Sequence, residues 1–173
     1  DAAHDLEKLP EKYDLVFSNA CLQWLPDHRT RIRELMGLLN AGGTLAVQIP
    51  SQAKHPVHHL LTETAHGARW QGKITSFRQY NELTEEEYFD VLSENTSAFR
   101  MWEIMYFFEM PSHESILEWY RGTGLRPYLA QLCDEDKTAF EAEILDGIRK
   151  LYPVQKNGSI IFRFPRLFFA ARK

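Results

Sequence analysis

The sequence predicts an α/β fold, because strand-like and helical patterns alternate along the chain. Residues 13–17 form a short apolar run flanked by turn-forming residues, which is typical of a parallel strand covered on both faces. From Ile32 to Leu39 apolar residues recur at helical spacing, and the stretch 40–43, Asn-Ala-Gly-Gly, is predicted to end that helix. Residues 44–50 form a second strand-like run that ends at a proline. A strand, a helix and a strand with short connections predict a right-handed βαβ unit.

The rest of the chain continues this alternation. Each predicted element rests on apolar spacing, a capping signal or a β-prone run that a proline ends. The predicted elements are a helix after Pro56, a helix capped by Thr84 and Glu87, a strand over 100–110, a short helix over 112–124, a longer helix over 135–151, and strand-like runs on either side of Pro165.

Composition and charge argue against several classes of function. The 173 residues are 44% hydrophobic and 13% aromatic, which is enough apolar material for one compact domain or a large part of one. A net charge of -4 gives no basic field, so we expect a small molecule or another protein as partner, with no nucleic acid and no membrane. Cys21 and Cys133 form neither a disulfide framework nor a CxxC motif. With a charged N-terminus and no long apolar stretch, these features favour a reducing, cytoplasmic setting.

Two local clusters suggest chemistry that their context does not support. Four histidines lie between residues 55 and 66, and His55 and His59 could meet on one helix face. A zincin would need a glutamate directly after the first histidine, but Pro56 stands there and no third ligand is evident. The Gly-Thr-Gly at 122–124 lacks the third glycine of a nucleotide-binding loop and follows a helix, so it predicts a helix C-cap. The sequence therefore predicts no metal site.

Four sequence blocks carry a more specific signal. "YDLVFSNACLQWLPDH" begins at Tyr13, "GTLAVQIP" at Gly43, "MPSHESILEWYRGTGLRPYL" at Met110 and "LYPVQKNGSIIFRFPRLFFAARK" at Leu151. In content and order they resemble class I S-adenosylmethionine-dependent methyltransferases and, within that superfamily, the trans-aconitate methyltransferase family. The blocks span nearly the whole chain, which makes the resemblance more specific than any single motif.

The resemblance implies a partial Rossmann-like methyltransferase sheet. In the family order 3-2-1-4-5-7-6, residues 13–17 would form the fourth strand, 44–50 the fifth, 100–110 the sixth, and the last segment the antiparallel seventh. Strands one to three are missing from this sequence, together with the glycine-rich loop that holds the cofactor.

A partial sheet has consequences for the chain on its own. Residues 1–173 are expected to be the C-terminal portion of a single methyltransferase domain, with substrate-cap helices at about 53–98 and 112–151. Without strand one, the fourth strand would be an exposed apolar edge through which a homodimer could form. The site for S-adenosylmethionine would then be incomplete, and this polypeptide would be inactive alone.

The resemblance also implies which residues bind the cofactor. Asp1 and Ala2 would lie beside the adenine. The residues that would line its methionine side or wall off the pocket are Asn19, Ala20, Leu22 and Trp24.

The implied reaction needs no general base, because a carboxylate nucleophile is already ionised at neutral pH, so no catalytic residue is predicted. Guanidinium groups suit a small polycarboxylate such as trans-aconitate. The candidates for substrate binding are Arg166, Arg126 and Arg121, with Gln23, His113, Trp119 and Tyr128 as orienting or shielding groups. For each of the three arginines a solvated surface charge is the alternative, most of all for Arg121, and for Trp24 and Trp119 the alternative is a place in the core.

Two other functions stay open at this point. One is a different small-molecule or acyl-carrier carboxyl methyltransferase on the same fold, since one fold hosts many activities. The other is a non-catalytic module that serves only to dimerise.

Overall fold

The structure, a computed structural model, describes residues 9, 11–79 and 81–173. Its strands are β1 (Tyr13–Asn19), β2 (Leu39–Pro50), β3 (Phe99–Met110) and β4 (Ile160–Arg172). Its α-helices are α1 (His28–Gly37), α2 (Pro56–His66), α3 (Glu85–Asn95), α4 (His113–Arg121), α5 (Arg126–Leu129) and α6 (Asp134–Leu151). Short 3-10 helices cover Leu22–Trp24 and Gln52–Lys54. Among the described helices, none has the length and apolar character that crossing a membrane requires.

The four strands form one sheet in the order β1-β2-β4-β3. β1 and β2 are parallel neighbours, and α1 connects them along the chain. β4 pairs with β2 in the antiparallel direction. This is the order 4-5-7-6 that the resemblance implies, so the predicted α/β class and strand order are confirmed. The predicted capping box is also present, since Thr84 and Glu87 exchange side-chain and backbone hydrogen bonds at the start of α3.

Two predicted boundaries are wrong. β1 continues past Phe17 to Asn19, because Ser18 and Asn19 still pair with β2. β2 begins at Leu39, which pairs with Tyr13, so 40–43 belongs to a strand rather than to a helix end. Pairing between strands has here outweighed the local glycine signal.

Pro165 lies inside β4 and does not interrupt it. The ladder between β2 and β4 runs from Thr44↔Arg172 to Pro50↔Arg166, so it stops one residue short of the proline. The ladder with β2 therefore needs no amide from Pro165, whose carbonyl accepts a 3.0 Å hydrogen bond from the Ser51 amide.

The chain folds into two compact units, each with its own hydrophobic core. The first unit contains the described residues up to Ser51, residues 81–105 and Pro165–Lys173; the second contains Gln52–Gln79 and Tyr106–Phe164. α3, which the sequence assigns to the substrate cap, belongs to the first unit.

The core of the first unit forms where α1 and α3 pack on each other and α1 packs on β2. Its buried apolar side chains come from both helices, from β2 and β4, and from the segment after β1. They are Leu22, Ile32, Met36, Leu39, Leu45, Val47, Ile49, Tyr88, Val91, Leu92, Leu167, Phe169 and Ala171.

The second unit packs α2 and α4 against the long helix α6. Its core is rich in fully buried aromatic rings, which bury large apolar areas. These rings are Trp70, Tyr120, Tyr128, Phe140 and Phe162.

Two glycines near the β1–β2 connection are expected to respond oppositely to alanine. A Cβ at Gly43 would lie 2.9 Å from the Tyr13 carbonyl oxygen and 3.2 Å from that of Asp14, so backbone would have to move. We expect Gly43→Ala to lower the free energy of unfolding by about 1–3 kcal/mol. Gly37, at the end of α1, has no atom within 4 Å of an added Cβ. Gly37→Ala is therefore expected to raise the free energy of unfolding by about 0.4–1 kcal/mol. Urea unfolding of both variants tests this, and shifts of the same sign would contradict it.

Candidate functional site

The carboxyl end of β1 is shaped by a sharp turn. Ala20 follows the last strand residue with φ of 50°, a left-handed conformation that costs a non-glycine residue roughly 1–2 kcal/mol. The turn is held because the Ala20 amide donates a 3.0 Å hydrogen bond to the carbonyl oxygen of Gln48 on β2. The chain then enters the 3-10 helix at Leu22, whose side chain is buried. The polypeptide thus leaves the sheet abruptly where the strand ends.

A predominantly apolar cavity of about 570 Å³ lies beside β1 in the first unit. β1 is the terminal strand of the sheet, and its Leu15 and Phe17 side chains are 59% and 68% exposed. The exposed apolar edge predicted for this strand is therefore confirmed. The cavity is lined by Leu9, Tyr13, Leu15, Val16, Phe17, Ser18, Asn19, Cys21, Leu22, Leu25, Arg31, Leu35 and Leu38.

The predicted cofactor residues fall in several environments. Asn19 is exposed at the end of β1 and lines the cavity together with Leu22. Ala20 carries the left-handed turn, and Trp24 is 51% exposed, so it is not a core side chain. Asp1 and Ala2 lie outside the described residues. Nothing in the structure tests the cofactor roles themselves, so they stay predictions.

Two predicted substrate residues, Gln23 and Arg166, lie in the first unit. Gln23 is buried, and its Oε1 has no hydrogen-bond partner among the described residues. Arg166 is half-buried at the end of the β2–β4 ladder, opposite Pro50. Its Nη1 donates a 2.8 Å hydrogen bond to Oε1 of Gln48.

Sequence reasoning missed Gln48 as a site residue. It is 4% exposed, and a signal was present, because it is the one polar residue in the apolar run "LAVQIP". A buried amide in such a run requires a hydrogen-bond partner, which here is Arg166.

The other predicted substrate residues lie in the second unit. Nε2 of His113 lies 2.8 Å from the carbonyl oxygen of Tyr152. Trp119 is 41% exposed, and its ring contacts the rings of Phe108, Phe162 and Phe164. These placements leave the assigned roles untested.

The remaining residues of that group differ in their polar partners. Arg126 is exposed at the start of α5. Tyr128 is fully buried, and its hydroxyl has no partner among the described residues, which is unusual for a buried polar group. Arg121 forms ion pairs with Glu118 and Glu141, as expected of a surface charge.

Two histidines of the second unit are buried rather than solvated. The Tyr120 hydroxyl lies 2.9 Å from Nδ1 of His55, and the His58 ring meets the Tyr120 ring edge to face. Burial lowers the pKa of His55 to about 4 and that of His58 to about 3, so both are neutral at pH 7. His55 precedes α2 as its N-cap and so lies outside the helix itself. Among the described residues, no three His, Cys, Asp or Glu side chains could hold a metal ion.

Comparison with known proteins gives the same class for fold and sequence. A family model described as a methyltransferase domain matches residues 1–47. A putative methyltransferase from Bacillus halodurans shares the fold with a TM-score of 0.53 at 12% identity, covering 98% of this chain and 69% of that chain. The YcgJ protein of Bacillus subtilis gives a TM-score of 0.53 at 15% identity, with 97% and 68% covered. These neighbours show that the chain has the class I methyltransferase fold.

Comparison with curated relatives gives a more specific similarity. The trans-aconitate 2-methyltransferase of Agrobacterium fabrum is 39% identical over 168 residues, which are 96% of this chain and 66% of that protein. The enzyme of the same name from Escherichia coli O157:H7 is 39% identical over 160 residues, 92% of this chain and 62% of that protein. The chain is a homologue of the trans-aconitate 2-methyltransferases and spans less than two thirds of the length of either relative. The predicted resemblance is confirmed, and so is S-adenosylmethionine as the cofactor of the family.

Proposed function

We propose that the full-length protein transfers the methyl group of S-adenosylmethionine to a carboxylate oxygen of a small polycarboxylate such as trans-aconitate. The observation that carries this proposal is the guanidinium of Arg166, held by Gln48 at the end of the β2–β4 ladder. Ligands bind open α/β sheets beyond the carboxyl ends of their parallel strands. Arg166 of β4 lies opposite Pro50, at the carboxyl end of β2. The relatives named trans-aconitate 2-methyltransferase support the substrate class.

The reaction requires the protein mainly to position the two reactants. When bound, the sulfonium cofactor supplies an electrophilic methyl group, and the substrate carboxylate is already ionised at neutral pH. The side chains of this chain then bind and orient the carboxylate and exclude water. Orientation of two reactants can supply roughly 7 to 11 kcal/mol of the barrier.

The residues at the end of β1 fit one side of a cofactor site. The polar Asn19 stands at the strand end, the left-handed turn at Ala20 bends the backbone away, and Leu22 adds apolar lining. We assign the methionine side of the cofactor to these residues, with Trp24 as an exposed wall. Asp1 and Ala2 would contact the adenine.

The substrate side is assigned by donor chemistry. Arg166 and Arg126 would bind carboxylates, because guanidinium groups match the carboxylate fork. The unpartnered hydroxyl of Tyr128 supports a role as a further donor. Gln23, His113 and Trp119 would orient or shield the substrate.

A methylation assay with the full-length protein tests the reaction. We expect labelled methyl from S-adenosylmethionine to reach trans-aconitate far faster than citrate or an acyl thioester. The product should be an ester that mild alkali hydrolyses, because the acceptor is a carboxylate oxygen. Equal labelling of citrate or of the thioester would refute the substrate assignment, and the thioester result would favour an acyl-carrier methyltransferase.

A second candidate, a dimerising module, is favoured by the exposed edge of β1. Leu15 and Phe17 present apolar side chains there, and a second copy could cover them. We propose that a polypeptide of residues 1–173 alone does not transfer methyl groups and associates through this edge. Light scattering and calorimetric titration with S-adenosylmethionine test this, and a monomer that binds the cofactor would refute it.

A further inference from the structure

The segment that follows β1 has strained backbone at both ends. Ala20 and Asp27 have φ angles of 50° and 51°, and neither is a glycine. A left-handed residue other than glycine persists only where neighbouring contacts hold it in place. Residues 21–26 lie between the two and contain the 3-10 helix Leu22–Trp24. This short segment therefore needs an anchor at each end.

The two anchors differ in kind. The first is the backbone hydrogen bond from the Ala20 amide to the carbonyl oxygen of Gln48. The second is the side chain of His28, the first residue of α1, which is 0% exposed. Its Nδ1 lies 2.5 Å from the hydroxyl of Tyr88 on α3, a side chain that is also buried. A fully buried imidazole thus connects the end of the segment to a neighbouring helix.

The protons of this pair follow from its surroundings. Burial lowers the pKa of His28 below the ordinary value of 6.5 and raises the pKa of Tyr88, so at pH 7 the ring is neutral and the hydroxyl keeps its proton. Backbone hydrogen bonds to Leu22 and Leu25 raise the pKa of His28, but by less than burial lowers it. Carbonyl groups only accept, so the N–H of the neutral ring is directed at them. The other ring nitrogen then accepts the hydrogen of the Tyr88 hydroxyl.

Nε2 is the ring nitrogen that remains for the segment, because Nδ1 is occupied by Tyr88. It is buried and has no partner of ordinary hydrogen-bond geometry among the described residues, so the two carbonyls share it imperfectly. A buried N–H that loses its acceptors altogether is costly. The ring therefore opposes movement of the segment away from it, and the Tyr88 hydroxyl keeps the ring in the tautomer that does so.

The residues that contact the ring through their carbonyls also shape the cavity beside β1. The side chains of Leu22 and Leu25 both line it, and Leu22 is assigned to the cofactor side. Trp24, the proposed exposed wall, lies between them, and the Leu25 amide closes the turn by donating a 2.9 Å hydrogen bond to the Leu22 carbonyl. The placement of these side chains depends on the backbone that His28 contacts.

We infer that His28, oriented by Tyr88, is a positioning residue that holds the backbone of residues 22–25 in the arrangement that binds the cofactor. This rests on the cofactor side of the proposed function and deepens it. A protein in which a binding segment is correctly placed for only part of the time binds its ligand more weakly in proportion, whereas saturating ligand restores the bound arrangement. We therefore expect His28 to affect the affinity for S-adenosylmethionine while kcat at saturating cofactor stays nearly unchanged.

Calorimetric titration of the full-length protein with S-adenosylmethionine measures this affinity. His28→Leu keeps a buried apolar side chain and removes the hydrogen bonds on both sides of the ring, so it is expected to raise Kd by roughly 10-fold. Tyr88→Phe keeps the aromatic ring and removes only the hydroxyl, so the expected rise is roughly 3-fold. His28→Gln can place an amide N–H near the position of Nε2 and should recover most of the affinity that His28→Leu loses.

A matched control separates positioning from a general loss of stability. Val91 is fully buried on α3 in the same core and has no assigned part in the site, and Val91→Ala leaves a cavity there that lowers the free energy of unfolding. We expect a lower melting temperature for that variant with the wild-type Kd and kcat. Hydrogen exchange of the Trp24 and Leu25 amides should be faster in Tyr88→Phe and unchanged in Val91→Ala.

The outcomes separate this inference from the proposed reaction. Wild-type protein that binds S-adenosylmethionine but methylates no polycarboxylate overturns the proposed reaction, while the affinities of the variants still decide the role of His28. A wild type that does not bind the cofactor overturns both. Wild-type Kd in His28→Leu and Tyr88→Phe, or an equally large loss in Val91→Ala, overturns the inference alone. If His28→Leu does not fold, wild-type affinity and exchange in Tyr88→Phe overturn it.

Discussion

Replacing Arg166 with methionine in the full-length protein is expected to lower kcat/KM for trans-aconitate by roughly 30- to 1,000-fold. The variant keeps much of the side-chain length but removes the charge and all five donors of the guanidinium. It also leaves Oε1 of Gln48 without its 2.8 Å partner. The kcat/KM of Arg166→Lys should lie between those of the wild type and of Arg166→Met, since lysine keeps the charge but lacks the forked guanidinium that matches a carboxylate.

Steady-state kinetics with trans-aconitate as the varied substrate measure this effect. Arg163→Met is the matched control, because Arg163 lies on the same strand, is exposed and has no assigned part in the site. We expect wild-type kinetics for that variant. A loss for Arg163→Met as large as that for Arg166→Met would show a general disturbance of β4, and an unchanged Arg166→Met would remove Arg166 from the substrate site.

The sequence predicts most elements of this fold because their signals are local. The apolar run at Tyr13, the capping box at Thr84 and the strand over 100–110 each depend on residues within a few positions. The errors arise where pairing with a strand that is distant in sequence determines the local structure. Leu39 completes a helical stripe in sequence, yet it pairs with Tyr13, and Pro165 lies inside β4 just beyond the end of the ladder with β2.

The candidate site is less predictable, because it depends on which side chains meet. Donor chemistry makes Arg166 a candidate, but no sequence spacing connects it with Gln48, 118 positions away. The spacing of His55 and His59 would allow two metal ligands on one helix face, whereas the fold buries His55 and His58 next to Tyr120. Polar residues in apolar surroundings mark such positions in sequence, and only the fold identifies their partners.

Those two histidines are expected to make the second unit sensitive to mild acid. The folded-state pKa values of His55 and His58, about 4 and about 3, lie below the ordinary histidine value of 6.5 that applies to the unfolded chain. Above 6.5 both states are neutral, and stability is fully present. As the pH falls from 6.5 towards 4, the unfolded chain binds protons that the folded chain excludes, so stability falls. Each unit of pKa difference corresponds to about 1.4 kcal/mol per histidine, so the loss amounts to several kcal/mol.

The groups around His55 and His58 account for their lowered pKa values. Burial is the main cause for both rings, and the charges of His55, Arg78 and His59 lower the pKa of His58 further. A hydrogen bond to the backbone of Arg163 raises the pKa of His55 but does not offset its burial. Protonating His55 would place a charge among the rings of Tyr120 and Phe162, and protonating His58 would place one against the ring of Tyr120.

Urea unfolding followed by tryptophan fluorescence across this pH range measures the effect, since Trp70 is buried in the same core. The free energy of unfolding should fall steeply from pH 6.5 towards 4 in the wild type. In His58→Leu the slope should be about halved, because one proton instead of two is taken up on unfolding. His66→Gln, at the exposed end of α2, should keep the wild-type slope. A wild-type stability that is flat over this range, or an unchanged slope in His58→Leu, would show that the buried histidines do not control the acid response.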